Sequence, residues 1–357
     1  TITYIVKKEN KFEVEIYITG YERPGYNETE NYDITLVYGE LEIVEGEGGN
    51  GGNGGGGGEG DDDKHSGNIG SGDLTGNEEG DGDDKHSVLF TISTNYNGHI
   101  YLRQSSYGDY VIGQDVSFLD AEEFNGLITV GGKFYGMNYL PTTILQNKVS
   151  EYYINIELSN KRKFVVPYFA AFGDSQIQTS DVWYYLRGTE LNCSFNFYPY
   201  MYVNDNGAAL SGGVDWRYSG LEREYYEFVL SKYLQIPAST KRYLDGIIFE
   251  QSFSGDDPNI ISKVAKFIQN SAEYNLEYDL GLDSASDKVV AFLRDYKQGV
   301  CRHYAAAATM LFRALGIPAR YVSGVSANGD GTGNPIEVTS DRAHAWTEVY
   351  IVGAGWV

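Results

Sequence analysis

The chain of 357 residues predicts an α+β architecture built in several domains. Three observations carry that expectation. Up to about residue 205 the apolar residues alternate with period two, as in half-buried strands. After about residue 206 they recur three and four apart, as in amphipathic helices. Between two of the strand-like regions runs a glycine- and acid-rich stretch that can build no core. A chain of this length is able to bury two or three separate cores.

Residues 1–45 read as a β segment. Ile2, Tyr4 and Val6 alternate, then Phe12, Val14, Ile16 and Ile18, then Ile34, Leu36, Leu41 and Ile43, with turns at Gly20, Pro24 and Gly25. The run "NYDITLVYGELEIVEGE" resembles the closing strands of bacterial immunoglobulin-like repeats, which implies that the module begins upstream of Thr1.

Residues 46–87 contain 17 glycines and eleven acids against two lysines. Such a segment buries too little to offset its ordering entropy, so a flexible, self-repelling Gly/Asp linker is expected. The near-repeat "DDDKHS" and "DDKHS" keeps no nonapeptide period, so a calcium site is not expected there.

Residues 88–205 return to short alternating segments, "HIYLRQ", "YYINIEL", "KFVVPYF", "DVWYYLRG" and "LNCSFNFYPY". They predict an antiparallel β domain, with Cys193 as an inert packed thiol. Residues 206–357 begin with a helical lead-in: "LEREYYEFVLSKYLQIP", "STKRYLDGIIFEQSF", "PNIISKVAKFIQNSAEYNL" and "SDKVVAFLRDYKQG". Gly299 is expected to cap the last of these.

The formal charge of -23 repels nucleic acid and anionic membrane, so no nucleic-acid partner is expected. Two cysteines, Cys193 and Cys301, cannot form a disulfide framework, and neither has CxxC or Cys/His spacing suited to zinc. A single Cys193 to Cys301 bridge stays open for an exported chain. No metal or cofactor is expected. No apolar run approaches 18 residues, and the chain starts on Thr1 and stops at "GAGWV", so it reads as an internal piece of a longer protein.

The chemistry concentrates in "GVCRHYAAAATMLFRALGIPARYVSG". Cys301 stands where a helix begins, so its thiolate would face unpaired amides and the positive end of the helix dipole. Ala305 to Ala308 make a slim helix that can lie buried against a sheet, Gly316 and Pro318 end it, and "ARYVSGV" continues as a strand. A thiolate needs an imidazole on a rigid element. His65 and His86 lie in the linker, His99 starts a strand, and His303 points away from the sulfur on the same helix. His344, in the alternating "HAWTEVYIV", remains, with its imidazole expected to reach the sulfur across a helix–sheet contact. Arg320 is read as a structural ion-pair partner, Trp346 as packing beneath the site, and Glu348 as a solvated strand charge.

The order Gly-x-Cys on a helix, Gly-Ile-Pro-Ala-Arg, a strand, then His-Ala-Trp on the next strand resembles the transglutaminase-like core. That core is a papain-like α+β unit of bacterial proteases, transglutaminases and peptide deglycosylases. The resemblance runs from about Pro258 to the end and implies Cys301 as nucleophile and His344 as base. An aspartate completes the triad in that family, two or three residues beyond Val357 by its Gly-Trp…Asp-Pro pattern; the chain as written is then an impaired enzyme. Asp341 is a weak substitute at a loop edge. The run "HIYLRQSSYGDY", the "YLQIP" helical region and the core together resemble the extracellular part of membrane-anchored bacterial transglutaminase-like proteins. An exported, cell-surface location is implied, the membrane anchor lying outside this chain.

The expected function is cysteine-dependent acyl transfer on peptide or protein amides through a thioester, by hydrolysis or cross-linking. The expected partner is a peptide or protein substrate, a cell-wall or surface protein among them. The alternative is a non-catalytic surface adhesion or scaffold protein with a degenerate core, and a third reading is covalent adhesion through Cys301.

Overall fold

The computed structural model describes residues 87–114, 117–124, 152–159, 164–168, 191–197, 219–257, 259–276, 286–351 and 355–356, together with Leu74, Val182 and several short strand segments. Two antiparallel sheets form its framework. In the six-stranded sheet the order is Gly355–Trp356, Ala343–Ile351, Ala319–Asp330, Asn97–Tyr110 and Phe118–Asp120, with Val166–Pro167 also paired to Asn97–Tyr110. The five-stranded sheet runs Ala170–Ala171, Asn192–Phe197, Tyr153–Leu158, Val88–Thr94 and Ile336–Thr339.

The segments 88–205 and 206–357 therefore do not fold as two sheets side by side. Asn97–Tyr110 pairs with Ala319–Asp330, and Val88–Thr94 pairs with Ile336–Thr339, so both segments contribute to both sheets. Alternation along a strand reports which residues share a face, but it says nothing of which strand lies alongside. The boundary expected near residue 205 is a boundary in periodicity and not in the sheets.

Two cores follow from this sharing. Between the sheets, Ile100, Leu102, Val325 and Ala327 of the long strands meet Phe90, Ile92, Ile154, Ile156 and Phe195. Farther along the same strands, Tyr107, Ala319 and Tyr321 meet the helical layer. Its central member is Cys301–Ala314, in which Ala305, Ala306, Ala307, Met310 and Leu311 are all buried. The absence of bulk on the alanines lets two further helices close over it. Ala238–Gln251 buries Leu244 and Ile247, and Ile260–Ser271 buries Ile260, Val264 and Ile268, four residues apart on one stripe.

Arg313, buried near the end of the central helix, ties this layer to its neighbours. It donates to the carbonyls of Ala319 at 2.7 Å, Gln235 at 2.9 Å and Gly108 at 2.8 Å. Burial depresses its pKa to about 10, which still leaves it charged at neutral pH.

The segment leading to Cys301 differs from expectation in one respect. Asp287 caps the Lys288–Ala291 helix by accepting from the amide of Val290, and the chain continues as a π-helical turn, Phe292–Tyr296. That turn is closed by Lys297, whose φ of 52° is left-handed, so Gly299 is not the cap. Gly299 lies in a two-residue strand beside Tyr274, where an added Cβ would come within 2.8 Å of His303 Nδ1. The glycine is needed for close approach, two residues beyond Lys297, where the capping occurs.

In the first segment, Glu13–Ile18 and Tyr32–Val37 pair antiparallel, while the expected strand at Leu41 and Ile43 lies outside the described residues. One pair of strands does not define an immunoglobulin-like sandwich. Within the glycine-rich segment Leu74 is not solvated: it is 1% exposed, packed into the core that contains Cys301. A lone leucine amid glycine and aspartate gave too little local signal to mark an anchor.

Candidate active site

Cys301 is the first residue of its helix, at the point where the sequence turns from the extended Val300 into helical backbone. The turn is held by His303, whose side chain folds back one turn. The Val300 amide donates to His303 Nδ1 at 3.0 Å, and Nε2 on the other side of the ring lies 3.1 Å from the Leu74 carbonyl. With Nδ1 accepting, Nε2 must carry the proton. The ring also stacks on Phe292, with centroids 5.8 Å apart. His303 is thus a positioning residue for the helix start, close to the thiol in sequence and directed elsewhere.

The helix lies on the strand Ala343–Ile351 in a defined direction. Thr347 donates to the Ala305 carbonyl at 2.8 Å, and the Thr309 hydroxyl is 3.1 Å from that of Thr347. Near the far end, Arg313 binds the carbonyl of Ala319, which is paired with Val349. Helix and strand therefore run the same way, and their starts lie at the same end. Cys301 is about 6 Å of helix rise before Ala305, and His344 about 10 Å of strand before Thr347.

The two side chains do not meet in the manner the alternation suggests. Ala345, Thr347 and Val349 turn toward the helix, so His344, Trp346 and Glu348 turn to the other face. On that face the His344 ring stacks with Tyr101 at 6.1 Å and with Trp346 at 6.2 Å, and Tyr101 lies 5.1 Å from Trp346. Tyr101 is the link to the thiol: burial first, and then the nearby charge of Cys301, raise its phenol above the ordinary range. Cys301 thus starts the helix on one face of the sheet, while His344, Tyr101 and Trp346 group at the start of the strand on the other.

Burial, and to a lesser degree the neighbouring His99, lower the His344 pKa to about 4. The imidazole is therefore neutral at pH 7 and able to accept a proton. Asp341 lies in an exposed turn, where one carboxylate oxygen is 3.8 Å from Arg342 Nε.

Beneath the rings lies a charged network that alternation alone misread. Glu348 is 1% exposed and bound by two guanidiniums, Arg320 Nε at 2.7 Å and Arg103 Nη2 at 3.1 Å. Burial pushes its carboxyl up, but Arg103 and Arg320 outweigh that and hold it below the usual range. Tyr168 donates to the same carboxylate and accepts from Trp346 Nε1 at 2.7 Å. Arg320 is an ion-pair partner, as its residue type suggested, and also sits 3.9 Å above the Trp356 ring. Glu348 is a corrected assignment: an acid on a strand face looks solvated until its partners arrive from Ala319–Asp330 and Asn97–Tyr110. Gly324, opposite His344, is also required here, because an added Cβ would lie 2.8 Å from Trp346 and 2.2 Å from the Leu102 carbonyl.

Cys193 stands apart from all this. It is buried within Asn192–Phe197 in the core between the sheets, and the two cysteines are not joined in a disulfide. Among the described residues no group of three or more His, Cys, Asp or Glu is arranged to hold a metal ion. Among the same residues no helix is long and apolar enough to cross a membrane.

Residues 249–357 match the family model of the Transglutaminase-like superfamily and form a transglutaminase-like domain. Two curated relatives are similar over part of the chain. The uncharacterized protein YebA of Bacillus subtilis is 32% identical over 144 residues, which is 38% of this chain and 19% of that protein. A protein-glutamine gamma-glutamyltransferase of Pseudomonas aeruginosa is 40% identical over 75 residues, 21% of this chain and 11% of that protein. The chain thus spans a fifth or less of the length of these relatives. Among solved structures, the periplasmic domain of TgpA from Pseudomonas aeruginosa aligns with a TM-score of 0.47 and 16% identity, over 76% of this chain and 88% of that one.

Tyr101, Arg103, Tyr168 and Leu74 are the residues that the sequence reading missed. All four lie outside residues 249–357. The alternating "HIYLRQ" gave the only available signal, since it puts Tyr101 and Arg103 on a strand, but nothing local says that the strand adjoins Cys301.

Proposed function

We propose that this chain carries a cysteine-dependent acyl-transfer site acting on peptide or protein amides, with Cys301 as nucleophile and His344 as its base. One observation carries the reading: the helix that begins at Cys301 and the strand that begins near His344 run in the same direction, so their starts lie at the same end of the sheet. The neutral His344 takes the thiol proton, and the thiolate attacks the amide carbonyl. Backbone amides at the helix start face the oxyanion, and the imidazolium returns its proton to the leaving amine. The thioester is then released by water, or by a primary amine in cross-linking.

The Pseudomonas relative is named for protein-bound glutamine, and glutamine side-chain amides are the donor class we carry over as the first substrate to test. The site is read as working outside the cytoplasm, in keeping with the resemblance to membrane-anchored bacterial proteins.

The test compares the two cysteines of one chain. Iodoacetamide is applied at pH 6, and labelling of Cys301 and Cys193 is followed by mass spectrometry. Fast labelling at Cys301, slowed severalfold or more by His344→Ala, is expected. Equal, slow labelling of both cysteines in the unaltered chain overturns the reading. Incubation with a glutamine-containing peptide and a primary amine then distinguishes a released product from a stable adduct.

A further inference from the structure

We infer that Ser326, His99 and Asn328 form a second nucleophilic site, a serine hydroxyl with an imidazole base and an amide that orients it, whose substrates are carboxylic esters. It goes beyond the acyl-transfer reading above, because neither Cys301 nor His344 takes part in it.

Strand register brings the three together. Across the ladder between Ala319–Asp330 and Asn97–Tyr110, Asn328 is paired with His99 and Ser326 with Tyr101. Residues two apart on a strand share a face, so Ser326, Asn328, His99 and Tyr101 stand on one side of the sheet. His344 faces the same side, since it is paired with Gly324, two residues before Ser326. The helix of Cys301 packs on the opposite side, against Ala345 and Thr347.

The hydrogen bonds run in one order. Asn328 Oδ1 is 3.0 Å from His99 Nδ1, and Ser326 Oγ is 3.1 Å from His99 Nε2. An amide oxygen can only accept, so Nδ1 carries the proton and Nε2 accepts from the Ser326 hydroxyl. The imidazole is thereby held in the tautomer that a general base needs, with the nucleophile already bonded to its unprotonated nitrogen. The Tyr101 ring meets it edge to face at 4.7 Å and limits its rotation. His99 and Asn328 are exposed and Ser326 is half-buried, so a small substrate reaches the hydroxyl directly.

The same exposure selects the substrate. On an open sheet face the oxyanion of a tetrahedral adduct is solvated by water, without the gain that a preorganised, desolvated donor gives. An amine leaves poorly under those terms, whereas the alcohol or phenol of an ester departs readily. As the bond from Ser326 Oγ to the carbonyl carbon forms, the hydroxyl proton passes to His99 Nε2 and the carbonyl pair moves onto oxygen. The pair then returns, the bond from carbon to the alkoxy oxygen breaks, and Nε2 gives its proton to the leaving alcohol. Water repeats the sequence on the acyl-serine: its proton passes to Nε2, the bond from carbon to Oγ breaks, and Ser326 recovers the proton as the acid leaves.

The test takes a second serine of the same chain as its reference. Ser194 is also exposed on a strand, and its hydroxyl donates to Asn155 Oδ1 at 2.7 Å instead of to an imidazole. The chain is treated at pH 8 with a fluorophosphonate, which loses fluoride to an activated serine, and labelling of each serine is followed by peptide mass spectrometry. Ser326 is expected to label at least about tenfold faster than Ser194, and His99→Gln is expected to remove that advantage. Asn328→Asp keeps an acceptor at Nδ1 and should label at least as fast as the unaltered chain, while Asn328→Leu labels severalfold more slowly. Hydrolysis of p-nitrophenyl acetate should fall by the same amount in Ser326→Ala and in His99→Gln, any contribution of Cys301 being common to both. Equal labelling of Ser326 and Ser194, fast labelling that persists in His99→Gln, or ester hydrolysis unchanged in both variants overturns the inference and leaves the three side chains as a surface hydrogen-bond ladder.

Discussion

Cys193 and Cys301 are both buried, at 4% and 6% exposure, and neither is in a disulfide, yet the regions around them are built on different terms. Around Cys193, two sheets press leucine, isoleucine, valine and phenylalanine side chains together, and the thiol is one more small apolar group. At Cys301 a helix start is held by the His303 ring on one face of the other sheet, while two more rings and a buried carboxylate held by two guanidiniums occupy that sheet's opposite face. Burial does not separate a reactive thiol from an inert one. The polar groups buried with it do, because each of them is costly to desolvate and is retained only where it is paired.

The comparison can be broken at the charged network first. Glu348→Gln leaves Arg103 and Arg320 buried without their carboxylate, and a loss of about 3 to 5 kcal/mol in unfolding free energy is expected by urea titration. A loss below 1 kcal/mol would mean that the guanidiniums find water when the acid is removed.

Arg313→Met tests the same principle away from the rings. Three carbonyls lose their donor, so about 3 kcal/mol is expected, read as a shift in the urea midpoint at unchanged slope. Between the sheets the matching change is milder. Cys193→Ala removes one sulfur from an apolar site and is expected to cost about 1 to 2 kcal/mol while leaving Cys301 alkylation untouched. Any change at Cys301 would show that the two regions are coupled.

The dependence on pH gives a further effect. His344 has an ordinary pKa near 6.5 when unfolded and about 4 when folded, so between those values the unfolded chain binds a proton that the native state does not. Stability contributed by the neutral imidazole is complete above pH 6.5 and is lost as pH falls toward 4. Thermal melts of the unaltered chain and of His344→Phe at pH 7, 5.5 and 4.5 isolate this: the unaltered chain should lose more between the first and last. Parallel losses would show that the folded imidazole titrates normally.

How much was legible in the sequence divides along the same line. The helices were readable because their apolar residues repeat locally, and Ile260, Val264 and Ile268 do bury one stripe. The start at Cys301, the stop at Gly316 and the strand of His344 were readable for the same reason. Glu348 was misread as solvated and Gly299 as a cap, since a buried ion pair and a close approach each depend on a residue from another element.

By itself the sequence determined which short stretches become helix or strand and which of them carry a thiol and an imidazole, because propensity, capping and periodicity act over a few neighbouring residues. Only the tertiary structure decided that His344 faces away from the helix, that Tyr101 lies beside it, and that Leu74 anchors against His303. Those contacts join residues far apart in the chain, and their partners are chosen by strand register and packing, which no local pattern encodes.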